Sequence, residues 1–440
     1  MKKLQILSSF SILYISCSSD AGSNSKKAYK DSVIYHEVAP GKLSTTDFKR
    51  YYDAINAFYD TNLVARNFNG AILVAKNGQV IFEKYYGYAD LDKKDTLTEH
   101  SAFHLASVSK TITGMAILKL AEEGRLTLDD DVKSYFPSFP YNGINIRMLL
   151  SHRSGLPNYL YFMERLGWNK TAYCDNNDVL NYLIQYQPPV NYPPNTHFSY
   201  CNTNYVLLAL IIEKASGSTY AEYLQHTFFT PLKMNDTYVF TLADTQKAMP
   251  SYNWRGSAEP FTFLDKAYGD KNIYSTVKDL LKWDQALYNN QLFSPESLEE
   301  AFTPYSNEKP GIKNYGYGWR MNIYPNARLN DPDSYRDGQG KKIIFHGGWW
   351  HGSNTMLMRL VQDSATIIIL GNKFNRNVYE AKKIANIFSP YFETDEEENP
   401  DSKELTMAKE YVDSLINKKT TLAHKADSLR DAIRKFKKKR

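Results

Sequence analysis

Strand-forming runs in this chain collect at two places far apart in the sequence, with a long helical stretch between them. Residues 71–75 and 80–82 are apolar runs on either side of Asn77-Gly78, a pair that tolerates the positive φ angles of a tight hairpin. Strand character returns only at residues 315–324, 342–345, 355–361 and 365–370. Between them, helical periodicity prevails over 179–186, 205–215 and 220–228, punctuated by proline-rich loops. A chain of this order can close one sheet only by joining its two ends, with the helical stretch inserted as a subdomain. The pattern therefore predicts a discontinuous α/β (α+β) domain. Phe48, Tyr52, Ile55, Tyr59 and Leu63 add an amphipathic helix before the hairpin, and a helix over 377–388 is expected to cover the sheet.

With 440 residues, 42% of them hydrophobic, the chain can bury a large core as one domain or two packed lobes. Its formal charge of +5 misleads: residues 418–440 carry ten Lys and Arg against two Asp, and Lys2 and Lys3 stand in the leader. The remainder of the chain is at −5, so the basic balance gives no ground for a nucleic-acid partner. After Pro400 a short stripe of Leu422, Ala426, Leu429, Ile433 and Phe436 leads into a lysine-rich end. It reads as a solvated helical tail, with a basic amphipathic helix on anionic lipid as the alternative.

At the other end, Lys2 and Lys3 precede a short apolar stretch that closes on Leu13-Tyr14-Ile15-Ser16-Cys17. This is the layout of a secretion signal, too short to span a bilayer comfortably. The small residue before Cys17 resembles the lipobox of bacterial lipoproteins, with Tyr14 a departure from it and an ordinary signal peptide as the alternative. The expected organisation is a signal peptide (1–16), a lipid-anchored tether (17–45), a catalytic domain (46–392) and a charged helical tail (393–440). That predicts an exported, membrane-anchored protein of the bacterial cell envelope, lipidated on Cys17. Cys174 and Cys201 remain; an exported protein allows a disulfide between them, but two cysteines form no framework and buried packing suffices. No His/Cys cluster has metal-ligand spacing, so neither metal nor cofactor is expected.

The chemistry centres on residues 103–114, Phe-His-Leu-Ala-Ser-Val-Ser-Lys-Thr-Ile-Thr-Gly, where a helix starts and runs to a stop at Gly124. Ser107 and Lys110, three apart, share one helix face, and the helix N-terminus adds donors beside the hydroxyl. A base within reach of a serine at such a place makes a weak nucleophile reactive. Further along stand Tyr200-Cys201-Asn202 before a strong helical pattern, and His346-Gly347-Gly348-Trp349 at the end of an apolar run.

The order Ser-x-x-Lys, Tyr-x-Asn, then a basic residue followed by glycine resembles the serine β-lactamase and penicillin-binding-protein superfamily. Residues 148–156, 274–276 and 315–319 also look like that family, and the resemblance runs from about Phe68 to about Asn372. It implies a five-stranded antiparallel sheet flanked by helices, with the active site between sheet and helical lobe. It implies further that Ser107 is the nucleophile, that Lys110 and Tyr200 are both candidates for the first proton, and that Asn202 bonds Lys110 and substrate. The backbone N–H groups of Ser107 and Trp349 would form the oxyanion hole, while Gly347 and Gly348 let a substrate lie against the strand. His346 stands where many members carry lysine; a mostly neutral histidine holds a substrate carboxylate less well, and the resemblance associates it with the esterase, D-aminopeptidase-like and penicillin-binding-protein-like branches rather than with efficient antibiotic hydrolysis. The leading expectation is an exported serine hydrolase acting through an acyl-enzyme on an ester or D-amino-acid amide or peptide. A penicillin-binding DD-peptidase or β-lactamase is the alternative, and an inactive envelope-binding protein of the same fold the third.

Overall fold

The structure, a computed structural model, describes residues 41–288, 292–306, 313–324 and 341–388. The expected signal segment, Cys17, most of the tether and the charged tail lie outside the described residues.

Helix α1 (Thr45–Phe58) opens at Ser44, whose side chain accepts from the backbone N–H of Asp47 at 3.1 Å. Strands β1 (Gly70–Lys76) and β2 (Gln79–Tyr86) follow, joined through Asn77 (φ 52°) and Gly78 (φ 71°), the two positive φ values of a type I′ turn. The helical insertion holds α2 (Ser109–Glu122), α3 (Asn176–Tyr186), α4 (Asn202–Ser216) and α5 (Val277–Ala286). The chain then returns to the sheet with β3 (Lys313–Tyr315), β4 (Arg320–Tyr324), β5 (Lys341–Trp350), β6 (Ser353–Leu360) and β7 (Ala365–Gly371), before α6 (Ala381–Phe388).

All pairings are antiparallel, in the order β3-β4-β5-β6-β7-β1-β2. The two ends of the domain therefore meet where β7 pairs with β1, Leu370 opposite Ala71. The sheet has seven strands rather than five. One reason is local: the expected strand over 315–324 breaks at Gly318 (φ 86°) into the hairpin β3–β4.

Strand β1 is buried on both faces, which is why it reads as a continuous apolar run rather than an alternating one. On one face Ile72, Val74, Phe345, Met358 and Ile369 pack against Ile55 and Phe58 of α1 and Ile384 of α6. On the sheet's other side Arg359 donates to Asp284 of α5 at 2.6 Å, an ion pair with no exposed surface. Helices α2 and α4 are enclosed almost all round, so neither shows a strong polar stripe. Cys174 and Cys201 are both free and buried, so the disulfide considered above is not formed.

Candidate active site

The nucleophile turn is built before the helix begins. Ala106–Val108 form one 3₁₀ turn ahead of α2, and Ala106 has φ 49°, a left-handed conformation that a non-glycine residue adopts at a cost of about 1 to 3 kcal/mol. His104 holds it there. Its Nδ1 accepts from the Ala106 N–H at 3.1 Å, and its Nε2 faces Asn272 Oδ1 at 2.9 Å. The Asn272 amide nitrogen donates to the carbonyls of Asp265 and Ala267, so its oxygen is left to accept from Nε2–H. Burial pushes the His104 pKa down to about 4, which keeps the ring neutral and able to do both.

Two glycines set how closely other elements approach. A Cβ on Gly348 would stand 2.3 Å from Leu105 O and 2.3 Å from Thr355 Oγ1, so β5 and β6 press directly on the nucleophile turn. Thr355 Oγ1 donates to Leu105 O at 2.7 Å. At Gly318 a Cβ would meet Lys110 O at 2.6 Å, which seats the β3–β4 turn on α2.

Ser107 is half-buried, and Lys110 Nζ lies 3.0 Å from its Oγ. Lys110 has no exposed surface; its Nζ also donates to Asp270 O at 2.8 Å and stands 5.0 Å from the centre of the Tyr200 ring. One turn on, Thr113 Oγ1 donates to Gly269 O at 2.7 Å. Consecutive carbonyls of the 269–270 loop thus hold α2 at i and i+3. Asp270 contributes by its backbone, which leaves no side-chain signal in the sequence. Its carboxylate is buried with Lys271, 3.6 Å away, and accepts from Tyr159 at 3.0 Å. Tyr159 is therefore wholly internal.

Tyr200 lies between two basic side chains. The Arg320 guanidinium stands 5.0 Å from its ring centre, as Lys110 Nζ does. Behind it His152 packs at 4.3 Å, with Tyr315 at 4.8 Å and Tyr205 at 5.1 Å from the histidine ring. His152 Nδ1 accepts from the Cys201 N–H at 3.1 Å, fixing the residue after Tyr200. Burial, then Lys110 and Arg320, hold its pKa well below the ordinary histidine value. Arg320 carries no signal of its own in the sequence. The signal was adjacent: Arg320 directly follows the Tyr315–Trp319 segment.

The remaining expected residues take distinct places. Asn202 is the first residue of α4, half-buried; the helix is capped by Cys201 without a side-chain bond. His346 is wholly buried rather than open to substrate. Its Nε2 meets Tyr315 Oη at 3.2 Å and its Nδ1 the Gly347 carbonyl at 2.6 Å, so it belongs to the wall behind Tyr200, 6.2 Å away ring to ring. Burial, Arg320 and Lys110 lower its pKa well below the ordinary value, so it is neutral. Strand β4 pairs with β5 only as far as Phe345. Among the described residues no strand covers that edge at Gly347, Gly348 and Trp349, where the sequence placed substrate. The described residues hold no cluster of three or more potential metal-ligating side chains.

A half-buried serine on a buried lysine, a tyrosine near two basic groups and an open strand edge define a site of the serine-hydrolase kind that the resemblance implied. The family model described as Beta-lactamase matches residues 57–391, and the chain belongs to that family. It is 33% identical over 343 residues to a penicillin-binding protein of Bacillus subtilis (strain 168), covering 74% of this chain and 73% of that one. Similarity to the protein flp of Staphylococcus aureus (strain N315) is 29% over 320 residues, 69% of this chain but 59% of the relative. The crystal structure of a penicillin binding protein from Bacillus halodurans shares the fold, with TM-score 0.62, 22% identity and coverage of 76% of this chain and 98% of that one.

Proposed function

We propose that this protein is an acyl-transferring serine hydrolase whose nucleophile is Ser107. The observation that carries the reading is the 3.0 Å contact between Ser107 Oγ and the wholly buried Lys110 Nζ, next to Tyr200. Ser107 Oγ attacks the substrate carbonyl carbon and its proton passes to Lys110 or Tyr200. The oxyanion of the tetrahedral intermediate is received by the N–H groups of Ser107 and Trp349, each such donor worth about 3 kcal/mol in the transition state. Collapse breaks the ester or amide bond, and the leaving group departs with the proton returned through Tyr200. Water then hydrolyses the acyl-serine and regenerates the enzyme.

The substrate is an ester or a D-amino-acid amide or peptide. Within that range Arg320 favours the penicillin-binding DD-peptidase reading over a plain esterase. His346 is neutral, but Arg320 puts a permanent cation beside Tyr200, suited to a substrate carboxylate. Labelling by a fluorophosphonate, which phosphonylates serine with loss of fluoride, and by a fluorescent penicillin, which acylates it, measured side by side, tests this. Labelling of Ser107 by both supports the peptidase reading; labelling by the fluorophosphonate alone returns it to an esterase; labelling by neither leaves an inactive binding protein.

The N-terminal pattern supports placing this chemistry in the cell envelope on a Cys17 lipid anchor. Mass spectrometry of the mature N-terminus tests that placement. A diacylated or triacylated Cys17 is the expected species, and an unmodified start elsewhere overturns it.

A further inference from the structure

A second concavity adjoins the open edge of β5. It has a volume of about 650 Å³ and is lined by Trp254, Phe374, Arg66, Arg376, Asn67 and Asn377, among others. That is room for one or two sugar rings. Glu380, the one acid lining it, is taken up by Lys383 at 2.7 Å and Asn62 at 2.8 Å. The guanidiniums of Arg66 and Arg376 have no hydrogen bond or ion pair among the described residues, and both residues are exposed. The cavity is therefore cationic with amide donors and acceptors.

Its aromatic wall is set rigidly. Trp254 sits at the tip of the short hairpin formed by Ser251–Tyr252 and Ala258–Glu259, whose turn is closed by Asn253 Oδ1 accepting from the N–H groups of Arg255 at 2.9 Å and Ser257 at 3.1 Å. Tyr252 ties that hairpin to the chain beyond β7: its N–H donates to Asn372 O and its carbonyl accepts from Phe374 N–H, both at 2.8 Å. Trp254 is nevertheless 61% exposed. Its ring has the Arg255 guanidinium 4.6 Å from its centre and is otherwise largely in water, where a second ring can stack on it.

The cavity also connects to the catalytic strand. The Trp349 ring, 41% exposed, meets Phe374 at 5.6 Å. Asn375, on the lining, donates from its N–H to Asn354 Oδ1 at 2.7 Å; Asn354 donates to Tyr379 Oη at 2.9 Å, and Tyr379 to Gly348 O at 2.8 Å. A polymer lying along the open edge of β5 would reach this aromatic wall directly after Trp349.

We propose that this cavity is a binding subsite for an acidic saccharide. The C–H face of a pyranose stacks on Trp254 and Phe374, its hydroxyl and acetamido groups bond the asparagine amides, and its acid group is held by Arg66 and Arg376. The inference deepens the reading of Ser107 as a hydrolase nucleophile, since it makes the substrate a saccharide-bearing envelope polymer. Its binding test, however, needs no turnover.

The experiment uses full-length protein carrying Ser107→Ala, titrated by saturation-transfer NMR with N-acetylmuramic acid, N-acetylglucosamine 1-phosphate and neutral N-acetylglucosamine. At least one acidic sugar is expected to bind at least about tenfold more tightly than the neutral one, and the stronger acid identifies a carboxylated or a phosphorylated source. Trp254→Ala and Arg376→Glu should each weaken that binding at least about fivefold, while leaving turnover of a small neutral ester by the Ser107 enzyme unchanged. No binding at about 10 mM, equal binding of the neutral sugar, or indifference to both substitutions overturns the proposal. Loss of Ser107 labelling with saccharide binding intact would instead refute the hydrolase reading alone.

Discussion

At the scale of single residues, the site turns on where charge is fixed and where it is withheld. His346 cannot serve as a substrate-facing cation: it is buried, neutral, and bonded on both ring nitrogens. Arg320 stands in the neighbourhood instead. Replacing Arg320 by alanine should slow acylation by a penicillin about 10- to 100-fold, the range for a charge-assisted hydrogen bond, with little change for a neutral ester. Equal loss on both substrates would assign Arg320 to holding Tyr200 rather than the carboxylate. His346→Lys is expected to lower the melting temperature without improving penicillin acylation. It would bury a cation near Arg320 and Lys110, which already disfavour charge on the histidine. Ser107 and Lys110 were candidates from their spacing and Tyr200 from the family resemblance, and the structure brings the three together. The sequence missed Arg320 and the Asp270 carbonyl because neither carries a pattern: one is a lone strand-start arginine, the other acts through a backbone atom.

At the scale of elements, the catalytic turn exists because β5, β6 and the 269–272 loop press on it. Gly348→Ala tests the first of these contacts. The added methyl would meet Leu105 O and Thr355 Oγ1 at 2.3 Å, so β5 must move away from the nucleophile turn. A displacement of about 1 Å at a reacting centre costs about a hundredfold in rate, which is the loss expected in acylation with the far-ultraviolet circular dichroism unchanged. Near-normal acylation would show that the turn keeps its shape without that strand. Most elements were legible from periodicity: the β1–β2 hairpin through Asn77-Gly78, α1 from its apolar stripe, and β6 and β7 to within a residue or two. The β3–β4 hairpin was not, since Gly316 and Gly318 sit inside a run of strand-forming aromatics. The five further residues of β5 beyond Phe345 were also hidden, because Gly347 and Gly348 read as the end of a strand.

For the whole molecule, the joining of distant strands and the enclosure of α2 concentrate neutral histidines in the interior. His104, His152 and His346 are all buried, with pKa values lowered by burial first, His104 to about 4. Each binds its proton more readily unfolded than folded. The stability this represents is present above about pH 6.5 and is lost as pH falls towards the folded value, about 3 kcal/mol for His104 alone. Urea unfolding should therefore show stability falling between pH 6.5 and 4, and His104→Gln should flatten that slope while lowering stability at pH 7. A constant unfolding free energy across that window would contradict it. The central claim is that Ser107, activated beside Lys110 and Tyr200, carries an acyl group. Intact mass spectrometry after rapid mixing with a p-nitrophenyl ester, followed by peptide mapping, tests it most directly. The account predicts one acyl adduct, located on Ser107, that is absent from Ser107→Ala and accumulates far more slowly in Lys110→Met. An adduct on another residue, or one that survives in Ser107→Ala, would contradict it.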